Sequence, residues 1–172
     1  MKVSVLAIAA MLGLSVTAAS AQAPNDAQIA HIVVTANQVD IDAGNLAVKK
    51  SSNEEVKKFA QQMVTDHSAV NQAAVDLVTR LAVTPEESDA SRGLTSSGAT
   101  IRGTLETLDG AAFDKAYVDN EVAYHEAVIG VLDAQLIPSA ANPELKKTLV
   151  DVRPAFVAHL EHAKHLQATL AK

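Results

Sequence analysis

An all-α four-helix bundle with a long crossover between its second and third helices is the fold the sequence predicts, and three observations predict it. Apolar residues recur at three- and four-residue steps through most of the chain. No stretch alternates apolar and polar residues between hairpin turns, as strands would. Two pairs of long periodic segments each have a tight connection, and one Ser/Thr/Gly-rich stretch, residues 85–110, separates the pairs.

The first segment stands apart from that fold. "MKVSVLAIAAMLGLSVTAASAQA" carries one lysine, an apolar run from Val3 to Val16, and the small residues Ala19-Ser20-Ala21 before Gln22. This is the pattern of a secretory signal peptide cleaved after Ala21. The apolar run is shorter than the roughly 20 residues a membrane anchor needs. No cysteine follows the small residues, so a lipid-anchored form is excluded. The expected mature chain, residues 22–172, is periplasmic and forms one domain of about 150 residues, enough to bury a core. No later segment is apolar for long enough to be an integral membrane span.

The first helix is expected from about Asp26 to Lys50, with Ile32, Ala36, Val39, Ala43 and Leu46 on its inner face. The second begins at "SSNEEV", where Ser52 and Glu55 form a capping box. It carries Val56, Phe59, Met63, Val70, Ala74, Leu77 and Leu81 inward until Thr84-Pro85. Residues 85–110 are expected to be loop with one or two short helical turns, "ATIRGTLETL" among them, ended by Asp109-Gly110. So long a link is explained by a crossover running the length of the bundle. The third helix is expected from Ala111 to Ile137, with Pro138 ending it. Asn142-Pro143 opens the fourth, which carries Leu145, Leu149, Val152, Phe156, Leu160, Ala163, Leu166 and Leu170, with a kink at Pro154.

Composition narrows the function. The formal charge is −6 with Lys2 counted, so the mature chain is more acidic still, and neither nucleic acid nor an anionic lipid surface suits it. Aromatic residues are 3% of the chain and tryptophan is absent, which argues against sites that stack sugars or bases. Without cysteines, an exported chain relies on packing, on a metal, or on both.

The polar residues on the inner stripes are the candidates for chemistry. Asp40 falls between Ala36 and Ala43, His67 between Met63 and Val70, His125 between Val122 and Ile129, and His159 between Phe156 and Ala163. Counted from the turns at about 1.5 Å per residue, the four reach similar heights near the middle of the bundle, one from each helix. Two readings follow. One is a hydrogen-bonded polar layer that fixes helix register, since unpaired buried polar groups are costly. The other is a metal site of three histidines and one aspartate, suited to zinc, copper or iron. Asp66, beside His67, and Glu121, one turn before His125, are placed to orient a ligand or to bind directly. Tyr124 offers a hydroxyl or simple packing. In "VAHLEHAKHL" the histidines step by about 300° per three residues and fan around the helix. His159 therefore faces inward, His162 reaches the rim and serves as an alternate ligand, and His165 is solvated.

The stretches "DIDAGNLAVKKSSNEEVKKFAQQMVTDH", "GAAFDKAYVDNEVAYH" and "PAFVAHLEHAKHL" resemble an exported bacterial domain family of unknown function with a ferritin-like bundle, whose members are often labelled outer membrane proteins. The resemblance covers nearly the whole mature chain. It rests on the "FAxxMVxDH" run from Phe59 to His67, on His125, and on His159-Leu160. It implies a ferritin-like four-helix fold and export, and no settled activity. The family is expected to carry glutamate where this chain has Asp40. An outer-membrane barrel does not fit a helical chain. Nor does di-iron chemistry, because Glu-x-x-His occurs nowhere in the sequence.

No Ser-His-Asp set, phosphate-binding glycine loop or His-Glu-x-x-His is present, so no reaction is assigned. The expected function is a periplasmic metal-binding bundle with a storage, buffering or redox role. The alternative is a non-catalytic stress or interaction protein whose polar layer is purely structural.

Overall fold

The computed structural model describes residues 23–171, so the expected signal peptide and its cleavage site lie outside the described residues. Those residues form an all-α chain with five long helices. Helix α1 spans Asp26–Lys50, α2 Glu54–Arg80, α3 Asp89–Glu106 and α4 Gly110–Val131. A π-helical turn, Leu132–Leu136, and a single turn α5, Ile137–Ser139, follow before α6, Pro143–Leu170. No helix among them is long and apolar enough to cross a membrane.

Each start has a local cause. Asn25 and Gln28 form a capping box at α1. At α2 the cap is Asn53, whose side chain accepts from the amides of Glu55 and Val56 at 3.0 and 3.3 Å. The expected Ser52–Glu55 box does not form, because asparagine caps as well as serine and leaves both Glu54 and Glu55 in the first turn, where the helix dipole favours them. Asn142 caps α6 with Pro143 in its first turn, as the sequence indicates. Helix α6 continues on both sides of Pro154. Pro138 does not end the third element. The π-helical turn, in which the Ile137 amide donates to the Leu132 carbonyl, carries the helical backbone on to Ser139.

The main correction is α3. Residues expected to be mostly loop form an 18-residue helix, capped by Ser88 with Ser91. Its inward stripe is Ser91, Leu94, Gly98, Ile101 and Leu105, at heptad spacing, with small residues where an apolar stripe would carry large ones. The smallness is needed. A Cβ on Gly98 would stand 2.8 Å from both methyls of Val39, so glycine lets α3 lie close against α1. Arg102 bonds Asp42 across the same contact at 2.9 Å. Covered by α2 on one side and α3 on another, α1 buries two faces rather than the single expected stripe.

Two apolar clusters fill the interior, one around Phe59, Met63, Phe113, Tyr117 and Ala163, the other around Ile29, Leu77, Leu132, Leu149 and Phe156. Helices α1 and α6 run from the second cluster to the first, while α2 and α4 run the opposite way. Helix α2 therefore ends at one end of the molecule and α4 begins at the other. Helix α3, about 27 Å long at 1.5 Å per residue, spans that distance, so the crossover exists but is helical.

Candidate metal centre

Between the two apolar clusters each of α1, α2, α4 and α6 passes through one polar layer. Asp40, His67, His125 and His159 meet there, and each is 2% exposed or less. The three imidazoles form a near-equilateral triangle, with ring centroids 5.6 Å (67 to 125), 5.3 Å (67 to 159) and 5.6 Å (125 to 159) apart. Phe156 stacks on His67 at 5.3 Å and closes one side. The Asp40 Oδ2 lies 2.6 Å from His67 Nε2 and 3.8 Å from His125 Nε2. Each imidazole offers a nitrogen within 4.8 Å of one on both others, and Asp40, Glu121 and His125 form a second such group.

Hydrogen bonds on the outer side of each ring fix its tautomer. His67 Nδ1 donates to Asn37 Oδ1 at 2.7 Å, His125 Nδ1 to the Glu121 carbonyl at 2.9 Å, and His159 Nε2 to Asp66 Oδ2 at 2.9 Å. All three acceptors are oxygens, so the hydrogen sits on the outer nitrogen. The inner nitrogens of His125 and His159, Nε2 and Nδ1, are left as lone pairs, while His67 Nε2 faces the Asp40 carboxylate. These three atoms, with both carboxylate oxygens of Asp40, are buried and make no aligned hydrogen bond. At 2.6 Å, His67 Nε2 and Asp40 Oδ2 are at the separation of a charge-assisted hydrogen bond, which metal uptake would replace. Unsatisfied buried donors and acceptors are rare in folded chains, and this layer gathers them in one place.

Burial and mutual charge set the electrostatics of the layer. Burial pushes the Asp40 carboxyl up, but His67 and His125 outweigh it and hold the group below the usual aspartate range. Glu121 stands well above the glutamate range, first because it is fully buried and then because Asp40 is charged beside it. Burial lowers both His125 and His159, against the opposing pull of Asp40 on the first and of Asp66 on the second. Neutral imidazoles with inward lone pairs are the form in which histidine binds a metal.

The alternate residues take distinct places. Glu121 is fully buried, with both carboxylate oxygens unpartnered. Asp66 is half-exposed and bonds His159 from outside. His162 is at the surface, donating to Gln62 Oε1 at 3.2 Å, and His165 is exposed. The Tyr124 hydroxyl donates to the Ala36 carbonyl at 2.7 Å and closes the α1–α4 seam. Asn37 escaped the sequence reading, although it lies one turn before Asp40 on the same face. Phe156 was legible only as core.

The fold has a known counterpart. A solved structure described as CopM in the Cu(II)-bound form is similar over 85% of this chain and 98% of that one, with a TM-score of 0.63 and 18% identity. At that identity the likeness is one of fold. No curated protein matches. The sequence pattern described as Domain of unknown function (DUF4142) matches residues 13–166, and the chain belongs to that family.

Proposed function

We propose that this chain is an exported, periplasmic metal-binding protein with a ferritin-like arrangement of α1, α2, α4 and α6, and that Asp40, His67, His125 and His159 hold one transition-metal ion. The observation that carries the reading is the set of three imidazoles, each tied on its outer nitrogen to an oxygen and each turning its inner nitrogen to the same buried space as Asp40. Outer hydrogen bonds of this kind orient and strengthen histidine ligands. Three nitrogens and one carboxylate suit copper, zinc or iron. The fold shared with a protein solved in a Cu(II)-bound form makes copper the first ion to try. Storage, buffering or a redox role would each use such a site.

The test is calorimetry on the metal-free mature chain with Cu²⁺, Zn²⁺ and Fe²⁺. Uptake of about one equivalent, lost in His67→Ala and His125→Ala and retained in His165→Ala, is the expected result. The competing reading is a structural polar layer in a non-catalytic stress or interaction protein, and the 2.6 Å Asp40–His67 contact favours it. Absence of tight uptake of all three ions would decide for that reading.

A further inference from the structure

The buried layer is shut off on most sides. Apolar clusters cover both ends, the Tyr124 hydrogen bond seals the α1–α4 seam, and α3 lies over α1. The α2–α6 seam differs. Like the α1–α4 seam it is packed more loosely than the α1–α2 and α4–α6 contacts, but it carries a continuous polar chain from solvent to the layer. His162 Nδ1 donates to Gln62 Oε1 at 3.2 Å. Gln62 Nε2 donates to Asp66 Oδ2 at 3.3 Å, and His159 Nε2 donates to the same Oδ2 at 2.9 Å. Exposure falls along this path, from surface His162 through Asp66, whose side chain is 43% exposed, to His159 at 3%. Nor is His162 a freely rotating surface group. The edge-on Phe59 ring, 5.1 Å away at 86°, holds it beside Gln62.

We propose that this seam is the port through which a transition-metal ion reaches the buried ligands. Asp66 and His162 capture the ion at the surface, and His159, which faces Asp66 with one nitrogen and the ligand space with the other, passes it inward. The inference rests on the metal site proposed above and adds its route. Asp66 supplies a negative charge where the ion sheds its water, and His162 and the Gln62 carbonyl supply replacement donors. Rotation of the His159 ring about its Cβ–Cγ bond gives up its hydrogen bond to Asp66 and changes which nitrogen faces the port, with no covalent bond broken.

A port alters rates in both directions and leaves the equilibrium alone. Stopped-flow mixing of Cu²⁺ with the metal-free mature chain measures uptake, and transfer to a chelator measures release. Asp66→Asn keeps an amide oxygen for His159 and removes the charge. It is expected to slow uptake about tenfold, a change that a weakened hydrogen bond to His159, which acts on affinity through release, would not produce. His162→Ala should slow uptake less, and His165→Ala should not slow it. Raising ionic strength should bring wild-type uptake down toward the Asp66→Asn rate. Unchanged uptake in Asp66→Asn and His162→Ala, or a loss of affinity carried wholly by faster release, would overturn the port while leaving the metal site standing. A wild-type chain that takes up no copper at equilibrium would overturn both.

Discussion

His67→Ala separates the two meanings of the buried layer when the variant is melted with and without copper. His67 touches Asp40 at 2.6 Å and Asn37 at 2.7 Å and stacks on Phe156 at 5.3 Å, all within a buried layer. Removing the ring opens a cavity and leaves the Asn37 oxygen without its donor. Without metal, that combination is expected to cost about 2–4 kcal/mol. Copper at a hundred times its dissociation constant should stabilise the wild type by about 2.7 kcal/mol. In a domain of this size that is a rise in melting temperature of roughly 5–10 °C. The variant keeps at most two imidazoles and Asp40, so its rise should be small. Four melts by circular dichroism, wild type and variant with and without copper, give the coupling directly. A variant that rises as much as the wild type would refute His67 as a ligand. A metal-free variant as stable as the wild type would refute the packing argument.

Acid should weaken the metal-free protein. Burial lowers His125 and His159, so the unfolded chain binds more protons than the folded one below the ordinary histidine value of 6.5. Stability is then complete above that pH and is lost as pH falls toward the depressed values, which melts from pH 8 to 5 would follow. Glu121 works in the opposite sense, because its raised value makes its contribution complete below 4.5 and progressively lost as pH rises. Glu121→Gln should therefore raise the metal-free melting temperature at pH 8, and a fall there would contradict the assignment. In α3, Gly98→Ala should cost about 1–3 kcal/mol against the Val39 methyls, whereas Gly103→Ala, with open space around it, should gain about 0.5–1 kcal/mol; chemical denaturation of the two variants is the comparison. Intact-mass measurement of the periplasmic fraction should find an N-terminus at Gln22, and a full-length membrane-bound chain would contradict export.

The inward positions of Asp40, His67, His125 and His159 were legible because each interrupts an otherwise apolar stripe at helical spacing. A charged or imidazole group there has to be buried and answered. Helix α3 was not legible by the same test. Its stripe of Ser91, Leu94, Gly98, Ile101 and Leu105 has the right period, but small residues give it little hydrophobic contrast, and Gly and Ser ordinarily signal loops. Close approach to α1 replaces bulk as the source of packing, and that depends on Val39, which is distant in sequence. Asn37 was missed because asparagine in a helix is unremarkable until its partner across the interface is known. The choice between Ser52 and Asn53 as cap turned on one residue of register, below what periodicity resolves.

The polar layer draws one side chain from each of four helices that lie far apart along the chain, α1 and α6 running one way and α2 and α4 the other. Such a layer has no local precursor. An unfolded or half-folded chain cannot gather Asp40, His67, His125 and His159 without first closing the long loops between them. An ion held there would consequently arrive last and behave as a non-covalent cross-link. It would leave the rate of folding untouched and slow the rate of unfolding, so that the loaded protein is marked less by how it forms than by how long it lasts.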